Sequence, residues 1–492
     1  MYSHLAMEEG EDIITADVFL AQLGQPSKPG DSVRSNWAFN EQNVERPKWI
    51  EAKDLEQTRL LAYNTWRRLE AAEEADWRAG KIKAVTTALI LNRKRYGRYK
   101  ARLVVLGNRW KPDGENNVFA SVVSQTGNRS TLVKCVREVF EVVPFDISNA
   151  FIRASMGDIK VVVNIPDNMK DDPSDTGRRM LLKALYGLPI SPRLWAKCLG
   201  KDLIGLGWKE CLHEPGVWIK RNSDKKITAY LTVYVDDCVL AGCDKDTVDT
   251  ELDKIHEIHP LERIECKLHK LHRTSNGLST PRRLTGEVGF TFDLTGMDIY
   301  YSARGRKVRF GMENYITKML ARFDMSECKG RATPAFEEKA LYDETSSDSK
   351  FPFKAAVGAL QWCTTCARPD AAHSINTLAR AGARKCTMRM EKCARLVMRY
   401  LKETKDYFIE YSPEFEKACN EMISKVVEHP ENEGSDPGLA EKSVHVFSDA
   451  SVGTEFNSFK SITGIVVYLY GTLIAWKSKV QSVFTSGTTR SE

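Results

Sequence analysis

The chain has 492 residues, 42% of them hydrophobic and 28% charged, with a formal net charge of +6. That length exceeds one compact domain and predicts about three, and the composition is ordinary soluble globular material. No charged leader with an apolar core opens it, Gly464 and Gly471 break its longest apolar run (Ile462–Trp476), and its cysteines lack framework spacing, so an intracellular chain with reduced thiols is expected.

Residues 1–45 carry few apolar side chains and include GQPSKPGDS (Gly24–Ser32), which predicts a flexible leader. Pro47-Lys48-Trp49 then opens a predicted helix to about Glu73, with Trp49, Ala52, Leu55, Leu60 and Leu61 toward one scaffold-packing face. Between Lys81 and Pro112 stand ten basic residues and no acid, interleaved with the apolar runs Ala88–Leu91 and Leu103–Leu106. A folded basic sheet that attracts polyphosphate fits this better than a solvated loop. Inside it, RYKARLVVLG (Arg98–Gly107) sets Lys100 and Arg102 two apart, hence on one face of a strand. Two cations there suit a triphosphate, the guanidinium binding as a fork and the ammonium as a point charge.

Val142–Ile152, VVPFDISNAFI, reads as an apolar strand carrying Asp146, followed by a small-residue turn into Phe151. Leu182–Trp195, LKALYGLPISPRLW, places Tyr186 beside Gly187, where a missing Cβ permits close backbone approach. Ala229–Gly242, AYLTVYVDDCVLAG, is two β-branched runs around Asp236 and Asp237, a predicted hairpin. Two carboxylates at a buried hairpin tip repel one another, and a hard cation, Mg²⁺ above all, is the usual answer; a solvated corner is the plainer one. One strand with an aspartate beside a hairpin with two is the minimal arrangement for two metal ions about 4 Å apart over a phosphoryl transfer.

In this order and spacing, RYKARLV, FDISNAF, LYGL with SPRLW, and YVDD (Tyr234–Asp237) resemble the reverse transcriptase of copia-type LTR retrotransposon Pol polyproteins. The resemblance covers about residues 46–492, including P-x-W-x-x-A at Pro47–Ala52 and N-T-W at Asn64–Trp66; Pro189-Ile190 depart from the family's usual Lys-Gln. It implies an α+β right-hand polymerase (fingers, palm with an antiparallel sheet, thumb), then a connection and an incomplete RNase H-like α/β domain. The implied activity is RNA-directed DNA polymerisation. Asp146, Asp236 and Asp237 would be catalytic and hold two Mg²⁺, with Mn²⁺ as a substitute. Because neighbours on a strand point to opposite faces, Asp236 is expected to matter more than Asp237. Lys100, Arg102, Phe151, Tyr186 and Gly187 would bind the nucleotide, Phe151 as a steric gate against a 2′-hydroxyl; a core Phe is the alternative. The implied partners are RNA template, DNA primer or heteroduplex, dNTPs and other polyprotein products such as integrase and capsid, with no membrane. The implied location is cytoplasmic, in element particles, or nuclear.

Beyond the hairpin, His256, His259, Cys266, His269 and His272 interleave with Ile and Leu as in an amphipathic helix, and no structural-zinc spacing fits. FDLTGMDI (Phe292–Ile299), ENYITKMLARFDM (Glu313–Met325), AAVGALQWCTTCARPD (Ala355–Asp370) and YLKETKDY (Tyr400–Tyr407) continue the resemblance; Cys363 and Cys366 read as packing. An acidic linker precedes VHVFSDASVG, which resembles the opening of an RNase H domain with Asp449 and Glu492 as its carboxylates; with further ligands beyond Glu492, no RNase H activity is expected. The expected division is a leader (1–45), fingers and palm (46–245), an insertion or linker (246–290), thumb and connection (291–412), a linker (413–443) and a truncated RNase H-like domain (444–492). The alternative to an enzyme is a decayed or domesticated copy that only binds nucleic acid.

Overall fold

The computed structural model describes residues 32–33, 35–93, 98–107, 110, 118–264, 266–270, 288–427, 443–451 and 459–482. Along the chain come β1 (Ser32–Val33), α1 (Ser35–Ala38), α2 (Arg46–Ala62), β2 (Trp66–Arg68), α3 (Ala71–Arg78), β3 (Ala84–Arg93) and β4 (Tyr99–Val105). Next are α4 (Gln125–Arg137), β5 (Glu141–Ile147), α5 (Ala150–Arg153), β6 (Val162–Asn164), β7 (Arg178–Leu181), α6 (Ser191–Gly205), β8 (Lys209–Glu210) and β9 (Val217–Arg221). Then β10 (Ile227–Tyr234), β11 (Asp237–Gly242), α7 (Lys245–Ile258), β12 (Leu261–Arg263), β13 (Lys267–Lys270), β14 (Val288–Leu294), β15 (Met297–Ser302) and β16 (Lys307–Gly311) follow. The rest is α8 (Glu313–Arg322), α9 (Phe353–Cys366), α10 (Ala372–Arg380), α11 (Met388–Glu403), β17 (Phe408–Tyr411), α12 (Pro413–Val427), β18 (Val444–Ser451), β19 (Ile462–Leu469) and β20 (Thr472–Val480). These mixed α and β elements divide into two units, one of residues up to Val122 with Ile147–Lys209, the other of Val123–Asp146 with Glu210 onward.

In the first unit a sheet runs β1-β3-β6-β7-β2, with β4 also paired to β3. The β3–β4 hairpin sets Ile90 opposite Arg102 and Asn92 opposite Lys100. Helix α2 buries Trp49, Ala52, Glu56 and Leu60, a spacing of three, four and four that keeps one face inward. Leu55 and Leu61, expected on that face, are instead 53% and 49% exposed. The helix also stops at Ala62 rather than near Glu73: Asn64 turns the chain at φ +49, and Trp66–Arg68 pairs with β7. Residues 32–45, expected as leader, already contribute β1, where buried Val33 pairs with Leu91.

In the second unit the sheet that carries the aspartates is ordered β12-β5-β11-β10-β9-β8. A second sheet is β13-β14-β15-β16-β17 and a third β18-β19-β20. One apolar core joins Val136 of α4, Tyr230 and Val239 of the first sheet, Ile299 and Phe310 of the second, and Leu360, Ile375 and Val397 of the helices. Cys363 and Cys366 are buried free thiols within it. The helix expected over His256–His272 ends at Ile258, just before Pro260, which cannot extend it. Downstream, β12 joins β5, the Ile264 amide donating to Pro144 at 3.1 Å, and β13 carries His269 in register with Gly289. His272 lies outside the described residues.

Polar satisfaction holds the helices of this unit together at Arg368, which is fully buried. It donates to Asp370, to the Thr404 carbonyl at 2.9 Å and to the Thr404 hydroxyl, while the Tyr400 hydroxyl donates to Asp370 at 2.6 Å. Burial works to raise the Asp370 carboxyl, yet the bonds from Arg368 and Tyr400 keep it below its ordinary value. Removing one partner of such a pair strands a buried charge, typically a loss of about 3–5 kcal/mol. Arg368→Met is therefore expected to lower unfolding stability by about 3 kcal/mol or more in urea titration, whereas Lys385→Ala, which breaks an exposed pair with Asp348, changes it by less than about 1 kcal/mol.

Candidate active site

The hairpin forms as its residue pattern dictates, from Ala229 opposite Gly242 to Tyr234 opposite Asp237. Val235 and Asp236 remain as a two-residue loop, a length that demands positive φ and usually takes Gly or Asn. Here Val235 adopts φ +63, a region where a β-branched side chain is strained by about 1–3 kcal/mol. The surrounding sheet over-determines the turn: the Val233 amide donates to Gly216 at 2.8 Å, and the Val123 amide donates to the Val233 carbonyl at 3.0 Å.

Antiparallel pairing of β11 with β5 sets Asp237 directly opposite Asp146. Opposed residues share a face of the sheet with Cβ atoms about 4.5–5.5 Å apart, so the register unites two acids 91 positions apart in the sequence. Asp236 sits on the turn beside them, so it is Asp237 that stands across from Asp146. Among the described residues no three His, Cys, Asp or Glu side chains stand close enough together to hold a metal ion. The charge arrangement nevertheless suits a cation. Burial, followed by the nearby charges of Asp236, Asp146 and Asp293, pushes the Asp237 carboxyl up to about 7. Asp293, on β14, escaped the sequence reading, because nothing local marks a solvated strand residue as a neighbour of the hairpin.

The nucleotide-binding candidates lie in the first unit, and four of the five come together. The Arg102 guanidinium lies over the Tyr186 ring at 4.6 Å, and the Phe151 ring meets Tyr186 edge-on at 4.9 Å. Gly187 has φ +82, and a Cβ there would stand 2.1 Å from the Val105 carbonyl oxygen; the Val105 amide donates to Tyr186 at 2.7 Å. Only glycine permits that approach. Lys100 shares Arg102's partly exposed face of β4. Beneath this strand is Glu56, buried to 3% exposure, whose carboxylate accepts the Leu103 amide at 3.2 Å and pairs with Arg59 at 2.7 Å. Burial raises its carboxyl, opposed by the Leu103 bond and by Arg59, Arg102 and Lys100. Glu56 was missed, although the 49/52/56/60 spacing carried the signal.

Asp449 lies on the exposed strand β18 opposite Gly464, its carboxylate accepting the Ala450 amide at 2.8 Å. Glu492 lies outside the described residues.

Comparison with known proteins bears on this geometry. Residues 63–266 match the reverse transcriptase (RNA-dependent DNA polymerase) family, a span that contains all three aspartates and all five nucleotide-binding candidates. The chain is 25% identical over 413 residues to the retrovirus-related Pol polyprotein from transposon TNT 1-94 of Nicotiana tabacum, covering 80% of this chain and 26% of that one. It is 25% identical over 398 residues to the Pol polyprotein from transposon RE1 of Arabidopsis thaliana, covering 80% and 23% respectively. Over residues 63–266 the chain is thus similar to the reverse transcriptase region of retrotransposon Pol polyproteins. A putative transposon Ty5-1 protein of Saccharomyces cerevisiae is 26% identical over 342 residues, 68% of this chain and 92% of that protein. The chain spans about a quarter of the two plant polyproteins. No helix among the described residues is long and apolar enough to cross a membrane.

A raised carboxyl value has a definite stability consequence without metal. Between the unfolded value near 3.8 and about 7 the folded protein holds the Asp237 proton more tightly, so this group's contribution is present at low pH and is lost as pH rises through that window. In EDTA, thermal unfolding is expected to show Tm falling from pH 5 to pH 8, and Asp237→Asn to flatten the slope and raise Tm at pH 8.

Proposed function

We propose that the chain is an RNA-directed DNA polymerase that adds deoxynucleotides to a primer on an RNA template, with Asp146, Asp236 and Asp237 as the ligands of a two-magnesium site. The observation that carries the reading is the register of Asp237 against Asp146 beside the Asp236 turn. Divalent ions held there would supply the positive charge that a primer 3′-hydroxyl nucleophile and a departing pyrophosphate require. The protein's own groups position the reactants. Arg102 and Lys100 take the triphosphate oxygens, Arg102 kept in place by its stacking on Tyr186. Phe151, braced edge-on by the same ring, bounds the sugar on its 2′ side and favours deoxynucleotides. Gly187 lets the backbone approach the nascent base pair.

In this reading the aspartate sheet is the palm and the β3–β4 hairpin the fingers. The β14–β15 hairpin and the helices after it serve as thumb and connection. The β18–β20 sheet opens an RNase H-like domain, to which Asp449 and Glu492 belong. The RNA template, DNA primer and dNTPs are the proposed partners, with a site of action in cytoplasmic particles or the nucleus.

Primer extension on poly(A)–oligo(dT) with Mg²⁺ tests the assignment. Asp146→Asn and Asp237→Asn are each expected to cut extension by roughly 10²–10³-fold or more with template binding within about twofold of wild type. Wild-type chain that binds template yet extends nothing would favour the nucleic-acid-binding copy instead. For the gate, Phe151→Val is expected to raise ribonucleotide incorporation relative to deoxynucleotide by roughly tenfold or more; an unchanged ratio assigns Phe151 to the core alone.

A further inference from the structure

Helix α4 carries an arginine that the chemistry above does not use. Arg129 is 2% exposed. Its Nε donates to the Ile474 carbonyl at 2.8 Å, and its Nη1 to the carbonyls of Thr365, at 3.1 Å, and Cys366. The guanidinium also lies 4.3 Å from the centre of the Trp476 ring. Thr365 and Cys366 belong to the last turn of α9, where helix carbonyls lack intrahelical donors and the dipole favours a cation. Ile474 and Trp476 belong to β20. One planar fork therefore ties three elements together, a task for which a lysine point charge is a poor substitute.

Each end of this tie leads somewhere. Toward the C-terminus, β20 is fastened further by Trp476 Nε1 donating to Thr364 and Asn376 Nδ2 donating to Ser478, both at 2.7 Å. The sheet beyond β20 is lightly held, for most of β18 is exposed, with Val446 60% and Phe447 43% accessible. Toward the N-terminus, α4 begins two residues after Val123, whose amide donates to Val233 one residue short of Tyr234 and the strained turn. Gln125 on the same first turn donates to Thr295 at the β14–β15 turn at 3.0 Å. The route from the C-terminal sheet to the aspartate hairpin is thus the first two turns of α4, where Gln125 and Arg129 both sit.

We propose that Arg129 is a positioning residue through which the docked β18–β20 sheet holds the aspartate hairpin in register, making that sheet a required part of the polymerase site. This rests on the polymerase reading for its functional half alone; the mechanical half stands separately. The sheet belongs to the low-stability end of the molecule, able to open while the core persists, and its release would loosen α4 and, with it, the Val123–Val233 bond.

The test uses the full chain with Trp476→Ala and Arg129→Lys, neither of which touches a candidate ligand. Hydrogen exchange is followed over 472–480 and 230–240, together with kcat and the dNTP KM in primer extension. The expected result is at least tenfold faster exchange in both segments, a kcat at least tenfold lower and a KM within twofold of wild type, with Arg129→Lys milder than Trp476→Ala. Faster exchange confined to 472–480, with 230–240 and kcat at wild-type values, would overturn the proposal. So would unchanged exchange everywhere. If the wild-type chain extends no primer, the exchange arm still decides the coupling. Should Arg129→Lys fail to fold, Asn376→Ala loosens β20 without altering α4 and is read by the same criteria.

Discussion

Two like charges set face to face across a pair of antiparallel strands are what the rest of this molecule accommodates. Opposed carboxylates on neighbouring strands are destabilising on their own, and burial of Asp237 sharpens the conflict. A sheet chosen for stability alone would slip by one residue or replace an acid. This one is locked: β5 and β10 flank β11 on both sides, Val239 and Tyr230 reach the large core, and a one-residue shift would turn that apolar set outward. The core enforces a pairing that the carboxylates resist.

The turn tells the same story at the level of backbone. A glycine at Val235 would relieve the left-handed φ, yet the chain keeps a β-branched residue there, and two residues earlier Val233 is fixed by donating to Gly216 and accepting from Val123. Strain of this kind persists only where the surroundings over-determine it. The first unit follows the same logic with a buried acid: Glu56, desolvated under β4, pins through Leu103 the strand that carries Lys100 and Arg102. In both units a locally unfavourable group is held by packing so that neighbouring side chains point outward in a fixed array.

What could be read from the sequence was what local periodicity encodes. The runs around Asp236 and Asp237 paired as a hairpin because their β-branched residues are contiguous, and Lys100 and Arg102 share a face because strands alternate. Asp146 was legible as a strand residue, though only the fold could make it a partner of Asp237 rather than of the turn. The failures have one cause. The end of α2, the strands after Ile258, the placement of Val33 and the roles of Glu56, Asp293 and Arg129 are all decided by pairings between residues far apart in the chain. In the 256–272 stretch the alternation of His with Ile and Leu fitted a helix period, but the helix stops before Pro260, and Leu261–Arg263 and Lys267–Lys270 pair at the edges of two sheets.

The metal site proposed for Asp146 and the hairpin acids can be read by Mn²⁺ binding, followed by electron paramagnetic resonance, without any need for catalysis. Asp146→Asn and Asp237→Asn should each abolish the tight Mn²⁺ signal of the wild-type chain, while Asp449→Asn leaves it intact. Tight binding that survives both substitutions, or a wild-type chain that holds no Mn²⁺ at millimolar concentration, would contradict the account.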